Sequence, residues 1–279
     1  MMTVGKLKNY IREMSQRKKI PHEILYQNYF FERFLVRLSE SKFQKKFILK
    51  GGFLISSMIG IEERTTVDID MTVQNLELSE EVLTETIKEI TQIDANDNTF
   101  FNLHSVKSIR KEDVYPGIRY VLQAKFHSLK IFIKLDFSTG DIVTPNAVDR
   151  PIHLSISNED IELLSYNLET VLSEKIETIL SRSVANTRMK DFYDVYSIMT
   201  KDRDNLDITI LRKAINATFK YRGTQHVIES ADSILVSLGS DENIRSLWET
   251  YKKDNIYVGS ITLYEVITQV KELVKIGLI

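Results

Sequence analysis

The chain has 279 residues, enough for two domains of ordinary size, each with its own core. With 43% hydrophobic and 27% charged residues, four prolines and a net charge of -2, it has a globular composition without a disordered tract, and no general coat of basic residues. There are no cysteines, which excludes disulfides, thiolate catalysis, cysteine-type zinc sites and iron–sulfur clusters and fits a reducing, cytoplasmic setting.

The charged first residues lack a signal-peptide core, and no run of 18 uncharged apolar residues occurs, so neither secretion nor a membrane partner is expected. Residues 4–40 predict two amphipathic helices, with Tyr26, Tyr29, Phe30, Phe34 and Leu35 recurring at steps of three and four. Lys46 to Leu49 reads as a strand, Gly51-Gly52 as a turn, Phe53 to Met58 as a short helix and Val67 to Val73 as a second strand. A helix over 79–91 precedes three strands at Asn102 to Ile109, Gly117 to Phe126 and Leu129 to Phe137, the last two joined by a His127-Ser128 turn. From about Asn158 the strand signals stop, and helices are predicted over 168–182, 188–200, 208–220, 241–253 and 261–276. The expected division is an α/β domain over 1–158, a mixed sheet flanked by helices, and an all-α helical bundle over 159–279.

The stretch LKGGFLISSMIGIEERTTVDIDMTV, Leu49 to Val73, carries the chemistry. On a strand, Asp68 and Asp70 face the same side with Cα atoms about 6.5–7 Å apart, and their repulsion calls for a cation. Hard carboxylate oxygens of this kind suit Mg²⁺. Gly51-Gly52 before a helix allows close backbone approach and offers an anion the free N–H groups of the helix start. A third carboxylate, Asp136 in IKLDF, joins the pair if its strand lies beside theirs. Three carboxylates and an anion cradle describe metal-dependent phosphoryl chemistry. Each feature alone also has a bland reading, a solvated strand edge or a simple turn.

Strand, Gly-Gly, helix, a strand bearing D-x-D and a later strand aspartate together resemble the nucleotidyltransferase fold of the DNA polymerase β superfamily. Adding LSEKIETILSR and RMKDFYDVY, the pattern over roughly residues 45–200 resembles the AbiEii/AbiGii toxins of type IV toxin–antitoxin and phage abortive-infection systems. The resemblance implies a growth-arresting toxin that moves a nucleotide from a nucleoside triphosphate, GTP or a pyrimidine NTP, to an RNA acceptor such as tRNA, with Mg²⁺ as cofactor. It also implies a cognate antitoxin that need not form a stable complex. Carried over residue by residue, it assigns Asp68, Asp70, Asp136, Lys175 and Asp191 to catalysis, the first three as metal ligands. Lys50, Gly51, Gly52, Ser56, Arg64 and Thr66 fall to the nucleotide. Many superfamily members have a serine or threonine directly after the glycine, where this chain has Phe53; either Ser56 or Ser57 replaces that contact, or backbone amides suffice.

In the helical half, Leu168, Val171, Leu172, Ile176, Ile179 and Leu180 define one face, and Lys175 falls on it. A structural lysine there would pack its stem, and methionine would replace it at little cost; a functional one would steady a triphosphate in the cleft expected between the domains. Asp191 and Asp194 share a helix edge near Arg188, which suits either a functional acid, with Asp191 favoured, or a structural ion pair. The β region is locally basic: Lys107, Arg110, Lys111, Arg119, Lys125, Lys130 and Lys134 against Glu112 and Asp113, with Tyr115 and Tyr120 nearby, fitting either an RNA backbone or a solvated face. Zincin and P-loop motifs are absent. Rival functions for the same carboxylates are a metal-dependent nuclease or phosphotransferase and a non-catalytic nucleotide-binding module.

Overall fold

A computed structural model describes residues 3–77, 79–109 and 117–278. Arg110, Lys111, Glu112, Asp113 and Tyr115 of the basic stretch lie outside them. The chain divides into two compact units, Met1–Asp141 with Val148–Ser165, and Ile142–Ala147 with Tyr166–Ile279.

The first unit opens with α1 (Val4–Lys18), whose first turn is capped by the Thr3 hydroxyl accepting from the Lys6 N–H. Lys19 in the left-handed region and Pro21 break the helical run before α2 (His22–Glu40) begins. Phe30, Phe31, Phe34 and Leu35 on α2 are fully buried, and the helix lies against the sheet. It also buries charge. Arg37 donates two hydrogen bonds to Asp97, at 2.8 and 2.7 Å, and one to the Thr99 carbonyl. Burial pushes the Asp97 carboxyl up, but Arg37 outweighs it and holds the group below the usual carboxylate range.

Among the described residues seven strands form one sheet in the order β3-β4-β5-β2-β1-β7-β6. They are β1 (Phe47–Lys50), β2 (Ile69–Val73), β3 (Thr99–Ile109), β4 (Gly117–Phe126), β5 (Leu129–Ser138), β6 (Val148–Leu154) and β7 (Glu159–Ser165). Helices α3 (Gly51–Ile59) and α4 (Glu80–Thr91) complete the unit. The central β1-β2 pair is antiparallel, while β2-β5 and β1-β7 are parallel. Tyr120, Leu122, Ala124 and Phe126 alternate inward on β4 and meet Ile133, Leu135 and Phe137 of β5, so one face of the sheet is core.

Two sequence expectations change here. Strands continue past residue 158, because β6 and β7 form a hairpin whose second strand pairs with β1 at Leu49↔Ser165. Pro151 disguises β6, an edge strand that tolerates a missing donor. The strand bearing D-x-D begins at Ile69, so Asp68 sits in the bend just before it.

Glu32 on α2 is fully buried and accepts from the backbone N–H groups of Ile156 and Ser157, both at 2.9 Å, pinning the β6-β7 turn. Burial raises its pKa to about 7 despite these donors. The folded state therefore binds this proton more tightly than the unfolded chain, so the group's contribution is favourable at low pH and declines as pH rises from about 4.5 to about 7. Denaturant titrations should show wild type losing about 3 kcal/mol relative to Glu32→Gln between pH 4.5 and 8; parallel profiles would contradict the buried-acid account.

The second unit is helical: α5 (Leu168–Arg182), α6 (Met189–Lys201), α7 (Ile208–Arg222), α8 (Ala231–Ser240), α9 (Glu242–Asp254) and α10 (Leu263–Leu278). Asn167 caps α5 by accepting from the Thr170 N–H at 2.8 Å and donates to the Thr144 carbonyl at 2.7 Å, tying the Ile142–Ala147 segment to this unit. Helix α5 packs against α6 and α7, and α10 against α6, α7 and α8. No described helix is long and apolar enough to cross a membrane.

Candidate active site

Four charged residues lie in register across four strands. Lys50 on β1 pairs with Asp70 on β2, Asp70 with Asp136 on β5, and Asp136 with Arg119 on β4. Residues directly opposite in a sheet share a face, so the row reads cation, acid, acid, cation. The sequence condition for Asp136, that its strand lie beside the D-x-D strand, is met.

The two acids do not stand bare. Arg119 grips Asp136 through Nε and Nη2, each at 2.6 Å, and its Nη2 lies 3.7 Å from the Asp68 carboxylate. The hydrogen bonds to Asp136 raise the Arg119 pKa, partial burial opposes this, and the charges of Asp136, Asp68 and Asp70 add to it. At the other end, the Lys50 ammonium donates to the Ser138 hydroxyl at 2.9 Å and to Asp141 at 2.5 Å; Thr72 and Ser138 also donate to Asp141, each at 2.8 Å. Burial alone would raise the Asp141 carboxyl, but Lys50 and the three hydrogen bonds bring it below its ordinary value. Thr72 and Ser138 sit two residues beyond Asp70 and Asp136 and pair with each other, forming the next row on the same face.

Gly51 and Gly52 open α3 beside this row. Gly51 has φ +69°, and a Cβ there would lie 2.1 Å from Asp70 Oδ2. A Cβ on Gly52 would lie 2.7 Å from Thr66 Oγ1 and 3.4 Å from Arg64 Nη2. The bare glycine backbone lets Asp70, Thr66 and Arg64 converge on the helix start. Lys50 is the N-cap of α3, and its side chain has no acceptor with which to cap, so the first N–H groups of α3 suit an anionic ligand. Gly51→Ala should keep the protein expressed, lower its melting temperature and abolish triphosphate binding in titration calorimetry; normal binding would contradict the role of this close approach.

Of the sequence candidates, Lys50, Gly51, Gly52, Arg64, Thr66, Asp68, Asp70 and Asp136 come together. Ser56 does not: it is buried on α3 about 7.5 Å along the axis from Gly51. Ser57 donates back to the Leu54 carbonyl at 2.7 Å. Phe53 is a core residue, edge-to-face with Phe31 at 6.1 Å. The residues sequence reasoning missed are Asp141, Thr72 and Ser138, and for Arg119 it missed the pairing with Asp136. The period of two that aligns Thr72 with Asp70 and Ser138 with Asp136 was available as a signal.

In the helical unit, the Lys175 ammonium donates to Asp191 at 2.6 Å and lies 2.8 Å from Asp194 Oδ2, while Arg188 donates to Asp191 at 2.7 Å. Both aspartates are buried. Burial would lower the Lys175 pKa, but Asp191 and Asp194 overcome it and raise the group above its usual value. Burial would likewise raise Asp191, and Lys175 followed by Arg188 drives it well below. Lys175, Arg188, Asp191 and Asp194 are thus one network of ion pairs.

The carboxylates of Asp68, Asp70 and Asp136 supply the oxygen donors a Mg²⁺ ion takes, and the Arg119 guanidinium stands among them as a protein cation. By donor chemistry the set fits a divalent cation. Among the described residues no group of three acidic or histidine side chains forms a ready-made metal site, the Arg119 guanidinium taking the place beside Asp136 and Asp68.

A mixed sheet with paired strand carboxylates at a glycine-led helix start defines a nucleotidyltransferase-like protein. The chain belongs to the AbiEii family, described as "Nucleotidyl transferase AbiEii toxin, Type IV TA system", whose model matches residues 33–264. Among solved structures it is similar to JHP933 from Helicobacter pylori, with a TM-score of 0.52 at 12% identity, covering 92% of both chains. A second H. pylori chain, assigned by inference as a nucleotidyltransferase, gives TM-score 0.52 at 12% identity over 92% of this chain and 95% of that one. A looser likeness is to an antigenic nucleotidyltransferase-like protein from Paracoccidioides brasiliensis, with TM-score 0.38, 14% identity and coverage of 71% and 88%. Comparison with curated proteins gives no match.

Proposed function

We propose that this toxin transfers a nucleoside monophosphate from GTP or a pyrimidine triphosphate to an RNA acceptor, tRNA being the first to try. The carrying observation is the register of Asp70 opposite Asp136 on parallel strands, with Gly51 pressed against Asp70. The N–H groups of α3 and the nearby Arg64 would receive triphosphate oxygens, and Thr66, whose hydroxyl donates to the Asp68 carbonyl at 3.1 Å, would steady the approach to Asp68. Asp68, Asp70 and Asp136 would hold Mg²⁺, which when bound neutralises charge on the phosphates. An RNA hydroxyl oxygen forms the new bond to the α-phosphorus, the bond from that phosphorus to the bridging oxygen breaks, pyrophosphate leaves with its electron pair, and the hydroxyl proton is released to solvent. Positioning and charge neutralisation supply the acceleration.

The antitoxin of this system would then neutralise the toxin without an obligatory stable complex. The test incubates the protein with Mg²⁺, tRNA and each triphosphate carrying its label at the α- or the γ-phosphate. Label from the α-position should appear in RNA, and expression of the protein alone should arrest growth. Label from the γ-position would instead indicate a phosphotransferase, shortened RNA a nuclease, and triphosphate binding without product a non-catalytic module.

A further inference from the structure

We propose that the outer face of β3-β4-β5 is a platform for the single-stranded end of the RNA acceptor, its bases stacking on Phe132 and Phe100 and its phosphates running along the lysines. This rests on the transfer reading above and gives its acceptor a place. Strand alternation and register put Lys107, Arg119, Lys125, Lys130 and Lys134 on one face, opposite the buried Tyr120, Leu122, Phe126, Ile133 and Leu135. The three strands carry five basic residues and a single acid, Asp136, which Arg119 already binds.

One cross-strand pair, Lys125↔Lys130, is like-charged with no acid on either strand beside it, while in Lys107↔Arg119 the arginine is balanced by Asp136. Like charges directly opposite are unfavourable, so the arrangement needs an outside reason. Protection of a sheet edge accounts for Lys107 on β3 and for Lys130 and Lys134 on β5, which pairs with β2 only from Leu135 onward, but not for Lys125 on β4, which has partners on both sides. A polyanion accounts for Lys107, Lys125, Lys130 and Lys134 together, whereas Arg119 is already held by Asp136.

Aromatic rings interleave with this charge. Phe132 is 45% and Phe100 64% exposed on the same face, and the His104 ring lies against Phe132 with centroids 4.6 Å apart and planes tilted by 52°. Exposed rings among cations are how proteins hold unpaired bases without reading sequence. The platform is continuous with the acidic row: along β5, Lys134 lies about 7 Å, Phe132 about 13 Å and Lys130 about 20 Å from Asp136. A strand end laid along it would bring its terminal hydroxyl toward Asp136. Tyr120, a candidate for this surface in the sequence, takes no part, being fully buried with its hydroxyl on Thr84 and the Glu80 carbonyl.

The probe is a labelled oligouridylate of about 12 nucleotides, followed by fluorescence anisotropy over a salt series. Phe132→Ala should weaken binding about tenfold. Lys125→Gln with Lys130→Gln should flatten the plot of log affinity against log salt by about 1.4 while melting at or above wild type, since a repulsive pair is removed. Unchanged affinity and salt slope in these folded variants would overturn the platform, as would no binding by wild type at low salt. Loss of a co-expressed antitoxin with RNA affinity intact would make the face a protein interface and also overturn it. Wild type that binds RNA here but incorporates no α-label leaves the platform standing and removes the transfer reading. Transfer with variants that bind normally does the reverse.

Discussion

Lys175→Met should lower the melting temperature by roughly 5–10 °C, the equivalent of about 3–5 kcal/mol. The sequence alone gives the opposite expectation, because methionine keeps the stem and its packing. The structure reverses it by showing what the ammonium holds: Asp191 and Asp194, 1% and 0% exposed at their side chains. Methionine leaves two carboxylates buried, with Arg188 alone to balance Asp191. Adding Asp191→Asn and Asp194→Asn removes the two buried negative charges and should recover part of the loss, since a neutral amide costs less to bury than a carboxylate that has lost its cation. The pH profile follows from the directions of shift. Lys175 contributes fully below its ordinary pKa and Asp191 fully above its own, so the wild-type advantage spans the neutral range and fades at both extremes. A single Lys175→Met variant that melts like wild type would contradict the network account. The folded triple variant separates chemistry from stability: loss of transfer there assigns the network to the reaction, and retained transfer assigns it to the fold alone.

Much of this was legible in the chain because local rules agreed with the fold. The helix over 168–182 was readable to the residue from its apolar stripe, which only Lys175 interrupts, and the structure adds Asn167 as its cap. The two-residue turn at His127-Ser128 fixes the hairpin register, and stepping back along both strands places Arg119 opposite Asp136 without any structure. What was not legible depends on distant partners. Nothing near Lys50 announces Asp141, 91 positions on, and nothing in EDIELLS announces β1 as its parallel neighbour. Helix α8 escaped because serines and a glycine interrupt ADSILVSLGS; it is carried by Leu235 and Leu238 packing within the helical unit. The division at 158 fell inside the first unit for the same reason, since β7 ends only at Ser165.

Asp70→Asn should reduce nucleotide transfer by at least two to three orders of magnitude, the scale lost when one preorganised electrostatic contact is removed. The substitution keeps size and shape, and it takes one negative charge from a row where Asp70 and Asp136 face each other. Repulsion between them falls, so the melting temperature should stay within a few degrees of wild type. Activity and stability therefore part at Asp70, whereas at Lys175 stability itself is lost. Asp136→Asn should also stop transfer, but at some cost in stability, because it weakens the two-point grip of Arg119.

The most direct measurement is incorporation of α-labelled nucleotide into RNA by wild type, Asp70→Asn and Asp136→Asn, run beside melting curves on the same preparations. The account predicts label in RNA for wild type and none for either variant, with Asp70→Asn as stable as wild type. Wild-type incorporation by folded Asp70→Asn would contradict the assignment of the active centre to the Asp70–Asp136 row.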